Sequence, residues 1–275
     1  MILNESKKKI GFIGVGNMAS AIIGGITASG GYPWEYIYLY DILSPKTEEF
    51  KKKGANVMNS AEEIYKSCDC VVLAVKPQTY PSVLAELAKI SKTRKIPVIS
   101  IAAGITTESV SCALNGTAVI RALPNTPMLV GKGVTVICRN NAASDEDFEF
   151  AKSVFATAGE VTSIDESEMN RIISVLSSSP AYVFKFIKAV CDGADAQGLD
   201  GKALLCSVCA MVSGSAEMLA QSDKTPDELI AMVCSKGGTT ERAVAELDNF
   251  SFSEGIISAM KKCTARADEL SSIKK

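Results

Sequence analysis

Two textures of apolar and polar positions alternate through the first half of the chain. Short runs rich in Ile, Val, Leu and aromatic residues occur at residues 9–13, 36–40, 70–75, 98–101, 118–122 and 134–138. Between several of them lie stretches of helical texture at 17–29, 45–53, 77–90 and 145–158. The runs Cys70-Val71-Val72-Leu73-Ala74-Val75 and Val98-Ile99-Ser100-Ile101 are almost wholly apolar. That is the pattern of strands covered on both faces, as in a parallel sheet. Strand and helix alternating over short connections predict a doubly wound α/β domain.

The texture changes near Ser163, and no comparable strand run follows. From Pro180 onward apolar residues recur at 183, 184, 187, 190, 191 and 194, one stripe of a helix. Gly198 and Gly201 bracket a turn, and residues 202–221 are apolar on nearly every side. Such a helix is buried all round. A domain of roughly 110 residues has little interior to receive it, so a partner chain is expected to cover it. Thr225-Pro226-Asp227-Glu228 reads as a helix start, with a Thr cap, Pro at the first position and acids favoured by the helix dipole. A last helix is expected over 253–271. The sequence contains no internal repeat and no low-complexity tract.

The chain has 275 residues, of which 47% are apolar, and its 29 Lys+Arg against 31 Asp+Glu leave a net charge of −2. This is an ordinary globular composition. It gives no electrostatic reason to expect nucleic acid or an anionic membrane as partner. No uninterrupted apolar run reaches the roughly 20 residues of a membrane-crossing helix, and residues 1–9 are polar, unlike a signal peptide. The absence of histidine excludes Ser-His-Asp triads, Cys-His dyads and His-ligated zinc. Nine irregularly spaced cysteines argue against a disulfide framework and for a reducing, cytoplasmic setting. Cys206 and Cys209 lie in a stripe with Leu204, Leu205, Val208, Met211 and Val212, which favours buried helix thiols over a redox or metal site. No metal is expected.

Ile10-Gly11-Phe12-Ile13-Gly14-Val15-Gly16-Asn17-Met18-Ala19 is a strand entering a G-x-G-x-x-A turn and then a helix. Gly14 allows the tight turn, Gly16 lets the backbone approach a pyrophosphate, and Ala19 allows close helix packing. The N–H groups that open the helix, from Asn17 and Met18, face the phosphates. A second strand ending in Asp41 completes a dinucleotide-binding pattern. A carboxylate there accepts a ribose 2′-OH and repels a 2′-phosphate, which leans to NADH; Ser44, Lys46 and Thr47 follow and hold a phosphate if Asp41 turns away. The cofactor is therefore NADH or NADPH. The chain reads as a dinucleotide-binding domain over residues 1–163 and a helical domain over 164–275.

Three further motifs end predicted strands: Ala74-Val75-Lys76-Pro77-Gln78, Ser100-Ile101-Ala102-Ala103-Gly104-Ile105, and Arg121-Ala122-Leu123-Pro124-Asn125-Thr126-Pro127. In such sheets ligands bind at the carboxyl ends of strands. Together with Ser179-Pro180-Ala181-Tyr182-Val183-Phe184 and Ser235-Lys236-Gly237-Gly238-Thr239-Thr240, these motifs resemble the pyrroline-5-carboxylate reductase family. The last segment is similar to the family's S-P-G-G-[AT]-T pattern. The resemblance runs from about Lys9 to Leu270.

The resemblance implies an N-terminal Rossmann-type doubly wound sheet and a C-terminal all-helical dimerisation domain. It implies a homodimer with interleaved helices, which in many members assembles further into a decamer of five dimers. It implies NAD(P)H-dependent reduction of 1-pyrroline-5-carboxylate, a small-molecule imine carboxylate, to L-proline. By the same resemblance Thr240 contacts the ring nitrogen as the catalytic hydroxyl, Ser235, Gly238 and Thr239 hold the carboxylate, and Glu166 stands near the substrate. Ala74, Val75, Lys76 and Pro77 lie beside the nicotinamide ribose, Asn125 and Thr126 line the nicotinamide end, and Ala103 and Gly104 are further cofactor contacts. The Gly-rich run into a helix at 235–240 independently suits an anion nest. Four positions depart from the family pattern: Leu176 replaces a serine, Ser177 a glycine, Lys236 a proline and Ala61 an asparagine that Asn59 or Ser60 can replace after a shift. Two other readings stay open on sequence alone, a β-hydroxyacid-type dehydrogenase and a reductase-like NAD(P)H-binding regulator without turnover.

Overall fold

The computed structural model describes residues 7–28, 32–43 and 45–272. Among these, eight strands form one sheet: β1 (Ile10–Ile13), β2 (Ile37–Tyr40), β3 (Asn56–Val57), β4 (Cys70–Leu73), β5 (Val98–Ser100), β6 (Val119–Leu123), β7 (Gly133–Arg139) and β8 (Gly159–Ser163). Their order is β3-β2-β1-β4-β5-β6-β7-β8. The β6–β7 pair is antiparallel and the other pairs are parallel. The carboxyl ends of β1 to β6 therefore share one edge, where a doubly wound sheet binds its ligand.

Strand side chains divide by the two-residue period. Ile10, Phe12, Leu39, Val72, Ile120 and Ile137 join α1 (Asn17–Ala28) in one core. Ile13, Val71, Leu73, Val98 and Val119 join Ile64, Tyr65, Tyr80, Leu87 and Val110 in the core on the other face. β1 and β4 are buried along their whole length, as their unbroken apolar runs predict. The helix at 77–90 begins differently from its expectation: a 3-10 turn, Pro77–Thr79, precedes α-helix Tyr80–Ser91.

The expected boundary near Ser163 is not where packing divides. The compact units are Met1–Ser178 with Cys263–Lys275, and Ser179–Lys262. Residues 164–178 contain no strand, yet Met169 and Ile173 pack with Leu123, Val136, Cys138 and Ala267 in the first unit. Loss of strand texture marks the end of the sheet's last strand, whereas this third cluster sets the packing boundary.

The second unit contains helices Ser179–Ala196, Gly201–Ala220, Pro226–Val233 and Thr239–Asn249, and the last helix, Phe252–Ser272, begins in it. Pro226 opens its helix under a complete Thr225–Glu228 capping box, as its sequence predicts. Within a single chain these helices leave their apolar faces open. Phe184 is 61% exposed and Met211 48%. In helix Gly201–Ala220 only Gly201 is buried. That helix has a mean hydropathy of 1.6 and is long and apolar enough to cross a membrane by length and composition. It meets that criterion although its apolar run is interrupted by Ser207, Ser213, Ser215 and Glu217.

Candidate active site

The turn after β1 is built by backbone requirements. Gly14 sits at φ +91°, and a Cβ there would lie 2.9 Å from the Ala74 carbonyl. Gly14 N–H donates to the Tyr40 carbonyl at 2.8 Å and Ala74 N–H to the Ile13 carbonyl at 2.9 Å, so three strand ends meet at this glycine. A Cβ on Gly16 would have no atom within 4 Å, which leaves its backbone open to a ligand. Asn17 is exposed, Met18 half-buried and Ala19 fully buried. The first N–H groups of a helix have no partner within it and here open the α1 end to a pyrophosphate. The residues present therefore fit a bound dinucleotide.

Asp41 is turned toward the main chain. Its two oxygens accept the Val15 N–H at 2.6 Å and the Leu43 N–H at 2.8 Å. Lys46 donates to Asn17 Oδ1 at 2.6 Å, which brings a cation to the start of α1. Thr47 is buried, and Ser44 lies outside the described residues.

At the β4 end, Ala74 and Val75 are half-buried, Lys76 is exposed, and Pro77 opens the 3-10 turn. At the β5 end Ala103 is half-buried and Gly104 adopts φ +74°. A Cβ on Gly104 would come within 2.8 Å of Leu270 Cβ, so the last helix also demands this glycine. At the β6 end Asn125 is 7% exposed. Its carboxamide accepts the Val134 N–H at 2.9 Å and donates to the Leu176 carbonyl at 3.1 Å. Asn125 thus braces the edge, while exposed Thr126 opens a 3-10 turn that runs to Val130. The Leu176 carbonyl belongs to a π-helical turn, Ile173–Ser177, in which the Ser177 hydroxyl is buried without a partner among the described residues. Asn59 and Ser60 are engaged with Glu63, Asn59 through its N–H at 2.9 Å and Ser60 as the helix cap at 3.1 Å.

Glu166 has a different setting from the one its sequence position suggests. Within the first unit its carboxylate accepts the Thr107 N–H at 2.6 Å and the Thr107 hydroxyl, and stands 3.6 Å from Arg121 Nη1. Arg121 is 1% exposed, donates to Asn170 Oδ1 at 2.7 Å, and leaves its Nε without a partner among the described residues. Asn170 in turn donates to Asp268 at 2.9 Å and to Ser271 at 3.0 Å. Burial lowers the Arg121 pKa, and the Glu166 charge opposes that shift. Sequence reading placed Arg121 only in a strand-end motif; its signal was a lone charge in the apolar run Val119-Ile120-Arg121-Ala122-Leu123.

In the second unit, Gly238 N–H donates to the Ser235 carbonyl at 2.8 Å, closing a turn in which Gly237 has φ +71°. A Cβ on Gly238 would collide with Ser235 Oγ. Gly238 is the N-cap of helix Thr239–Asn249 and supplies no side-chain cap. Thr239 and Thr240 occupy its first two positions. Gly237 N–H donates to Glu241 at 2.6 Å, a contact the sequence reading missed although the acid stands three residues after the cap. Among the described residues no group of three or more Cys, Asp or Glu is placed to hold a metal ion.

A mostly parallel sheet with this turn and this row of strand ends defines a dinucleotide-binding protein of the Rossmann class. A family profile described as NADP oxidoreductase, coenzyme F420-dependent, matches residues 9–104, and one described as pyrroline-5-carboxylate reductase dimerisation matches residues 166–270. The Escherichia coli K12 pyrroline-5-carboxylate reductase is 38% identical over 270 residues, covering 96% of this chain and 99% of the relative. The crystal structure of the Plasmodium falciparum pyrroline carboxylate reductase with NADP bound superposes with a TM-score of 0.89 at 28% identity, over 96% of this chain and 98% of its own. The Coxiella burnetii pyrroline-5-carboxylate reductase gives a TM-score of 0.87 at 32% identity, over 97% and 100%. The chain belongs to the pyrroline-5-carboxylate reductase family. Its helical segment is the family's dimerisation region, which accounts for the apolar faces left open in a single chain.

Proposed function

We propose that the protein is a homodimeric reductase that converts 1-pyrroline-5-carboxylate to L-proline with NADH or NADPH. One observation carries this reading: a chain with a dinucleotide turn at Gly14 also presents, at 235–240, a helix start with no side-chain cap, suited to a small carboxylate. Family membership over nearly the whole length supports it.

When bound, the nicotinamide supplies the hydride that saturates the C=N carbon. The residues of this chain bind and orient. Gly14, Gly16, Asn17 and Met18 hold the pyrophosphate, and Asp41 meets the adenosine ribose. Ala74 to Pro77 lie along the nicotinamide ribose, and Ala103, Gly104 and Thr126 face the nicotinamide, with Asn125 bracing them. Ser235, Gly238 and Thr239 hold the substrate carboxylate, and the Thr240 hydroxyl meets the ring nitrogen. A cyclic imine is readily protonated in water and arrives as the iminium, so no strong acid is required. The work of the site is orientation of two reactants. We assign Glu166 a place near the substrate, with its carboxylate held by Thr107 and Arg121.

Lys46 beside Asn17 supports use of NADPH as well as NADH. Assembly into a decamer of five dimers follows the family resemblance and is tested by light scattering. A cytoplasmic location is consistent with nine free cysteines. The deciding experiment follows oxidation of NADH and NADPH with pyrroline-5-carboxylate and, in parallel, with small keto acids. Turnover with the imine is expected. Turnover confined to keto acids, or cofactor binding without turnover, would overturn the proposal.

A further inference from the structure

The turn at 235–238 lacks the residue that ordinarily stiffens such a turn, and an acid on the following helix takes over that task. The Gly238-to-Ser235 hydrogen bond and the positive φ of Gly237 at the third position are the marks of a type II turn. Pro is favoured at the second position because its ring presets φ. Here that position is Lys236, followed by two glycines, the residues with most conformational freedom to lose. The Gly237 N–H donates instead to Glu241 Oε2 at 2.6 Å, a charge-assisted bond. Glu241 is the third residue of helix Thr239–Asn249, so its carboxylate reaches back over the cap in the manner of a capping box. It fixes the residue whose left-handed backbone shapes the turn, and so aims the Thr239 and Thr240 N–H groups.

We propose that Glu241 is a positioning residue for the substrate carboxylate, preorganising the 235–240 loop in the absence of a proline at its second position. This rests on the assignment of that loop as the carboxylate site. Glu241 touches no reacting atom. Its charge, taken alone, would repel an anionic substrate, which predicts the opposite sign and makes the proposal decidable.

The test compares E241A, E241Q, K236P and E241A/K236P in the homodimer. The readouts are kcat, the KM for pyrroline-5-carboxylate, and the Kd of L-proline measured by calorimetry with oxidised cofactor present. E241A is expected to raise KM and the L-proline Kd about fivefold while kcat changes less than about twofold, because a loop that holds ground and transition states alike acts through binding. E241Q keeps an acceptor oxygen and stays near the parent. In the K236P background the alanine change loses most of its effect. An unchanged or lower KM and Kd in E241A, or an equal penalty with and without the K236P substitution, overturns the proposal. S235A, which removes the hydroxyl placed beside the carboxylate, separates the two levels. If S235A and E241A both leave KM and the L-proline Kd unmoved, the loop is not the carboxylate site; if S235A alone acts, only the role of Glu241 falls.

Discussion

Replacing Asp41 with alanine has two separable consequences for cofactor use. The carboxylate accepts the Val15 N–H at 2.6 Å and the Leu43 N–H at 2.8 Å, so D41A releases the turn after β1 at Val15 and the segment after β2 at Leu43. Such bonds contribute on the order of 1 kcal/mol each, and water recovers part of that at this partly exposed position. A common loss of about 1 kcal/mol raises the KM of NADH and of NADPH roughly fivefold. The second consequence distinguishes the two cofactors. A like charge ~5 Å from a 2′-phosphate at an effective dielectric of ~20 costs roughly 3 kcal/mol before screening. Solvent and salt reduce this to about 1 kcal/mol. D41A should therefore raise the ratio of kcat/KM for NADPH over NADH about fivefold while both individual KM values worsen. Lys46, held 2.6 Å from Asn17, acts with the opposite sign, and K46A should lower the same ratio. Steady-state kinetics with both cofactors at two ionic strengths reads both effects, the electrostatic one shrinking at high salt. A ratio unchanged in D41A, with both KM values raised, would make Asp41 a loop brace and refute its role in discrimination.

Other substitutions and conditions test separate parts of the structure. T240A should lower kcat roughly tenfold, the loss expected for a hydrogen bond to a charged group, without changing cofactor affinity; equal kcat in parent and variant removes Thr240 from the reaction. R121M leaves Glu166 and Asn170 without their buried cation. Because the Glu166 side chain is 31% exposed and can rehydrate, the cost falls below that of a sealed ion pair. We expect a loss of about 2 kcal/mol and a Tm drop of roughly 5 °C, and a Tm shift under about 1 °C would contradict the clamp. The thiols of Cys68 and Cys138 are pushed by burial from the ordinary 9.0 up to about 12. The unfolded chain ionises these thiols first, so their contribution is intact below pH 9 and is lost as pH rises toward 12. Stability should fall across that window in denaturant titrations, and a flat profile between about pH 9 and 11 would contradict it.

The doubly wound half was legible because its strands are short and strongly apolar. β1, β4 and β5 fall within residues 9–13, 70–75 and 98–101, as periodicity and β-branched content predict. β3 is two residues long, and β8, Gly-Glu-Val-Thr-Ser, is polar and largely exposed. Neither carries an apolar run for a pattern to detect. Helices Ala61–Ser67 and Thr107–Ala113 escape the pattern for a related reason. Each spans only two turns and is announced chiefly by its Ser60 or Thr106 cap. The expectation that a partner covers the apolar helix Gly201–Ala220 comes from its pattern, apolar on nearly every side, in a domain with little interior to receive it.

At the site, residues whose role is set by backbone conformation were readable. Gly14 takes positive φ where the turn motif requires it. Side chains whose role depends on a distant partner were not. The spacing of Asp41 suggests a ribose acceptor but does not show that its oxygens also accept the Val15 and Leu43 N–H groups. Asn125 is read as a lining residue, and no local pattern shows that it is also bonded to Val134 and Leu176. Glu166 is bound to Thr107 across 59 positions of sequence, a pairing that no local pattern encodes.

A crystal structure of the homodimer with oxidised cofactor and L-proline bound would decide whether the backbone amides at 235–240 hold the substrate. The L-proline carboxylate is expected on the amides of Gly238 and Thr239 beside the Ser235 hydroxyl, with the ring nitrogen facing the Thr240 hydroxyl. A carboxylate seated on any other group, with the 235–240 loop empty of ligand, would refute that assignment.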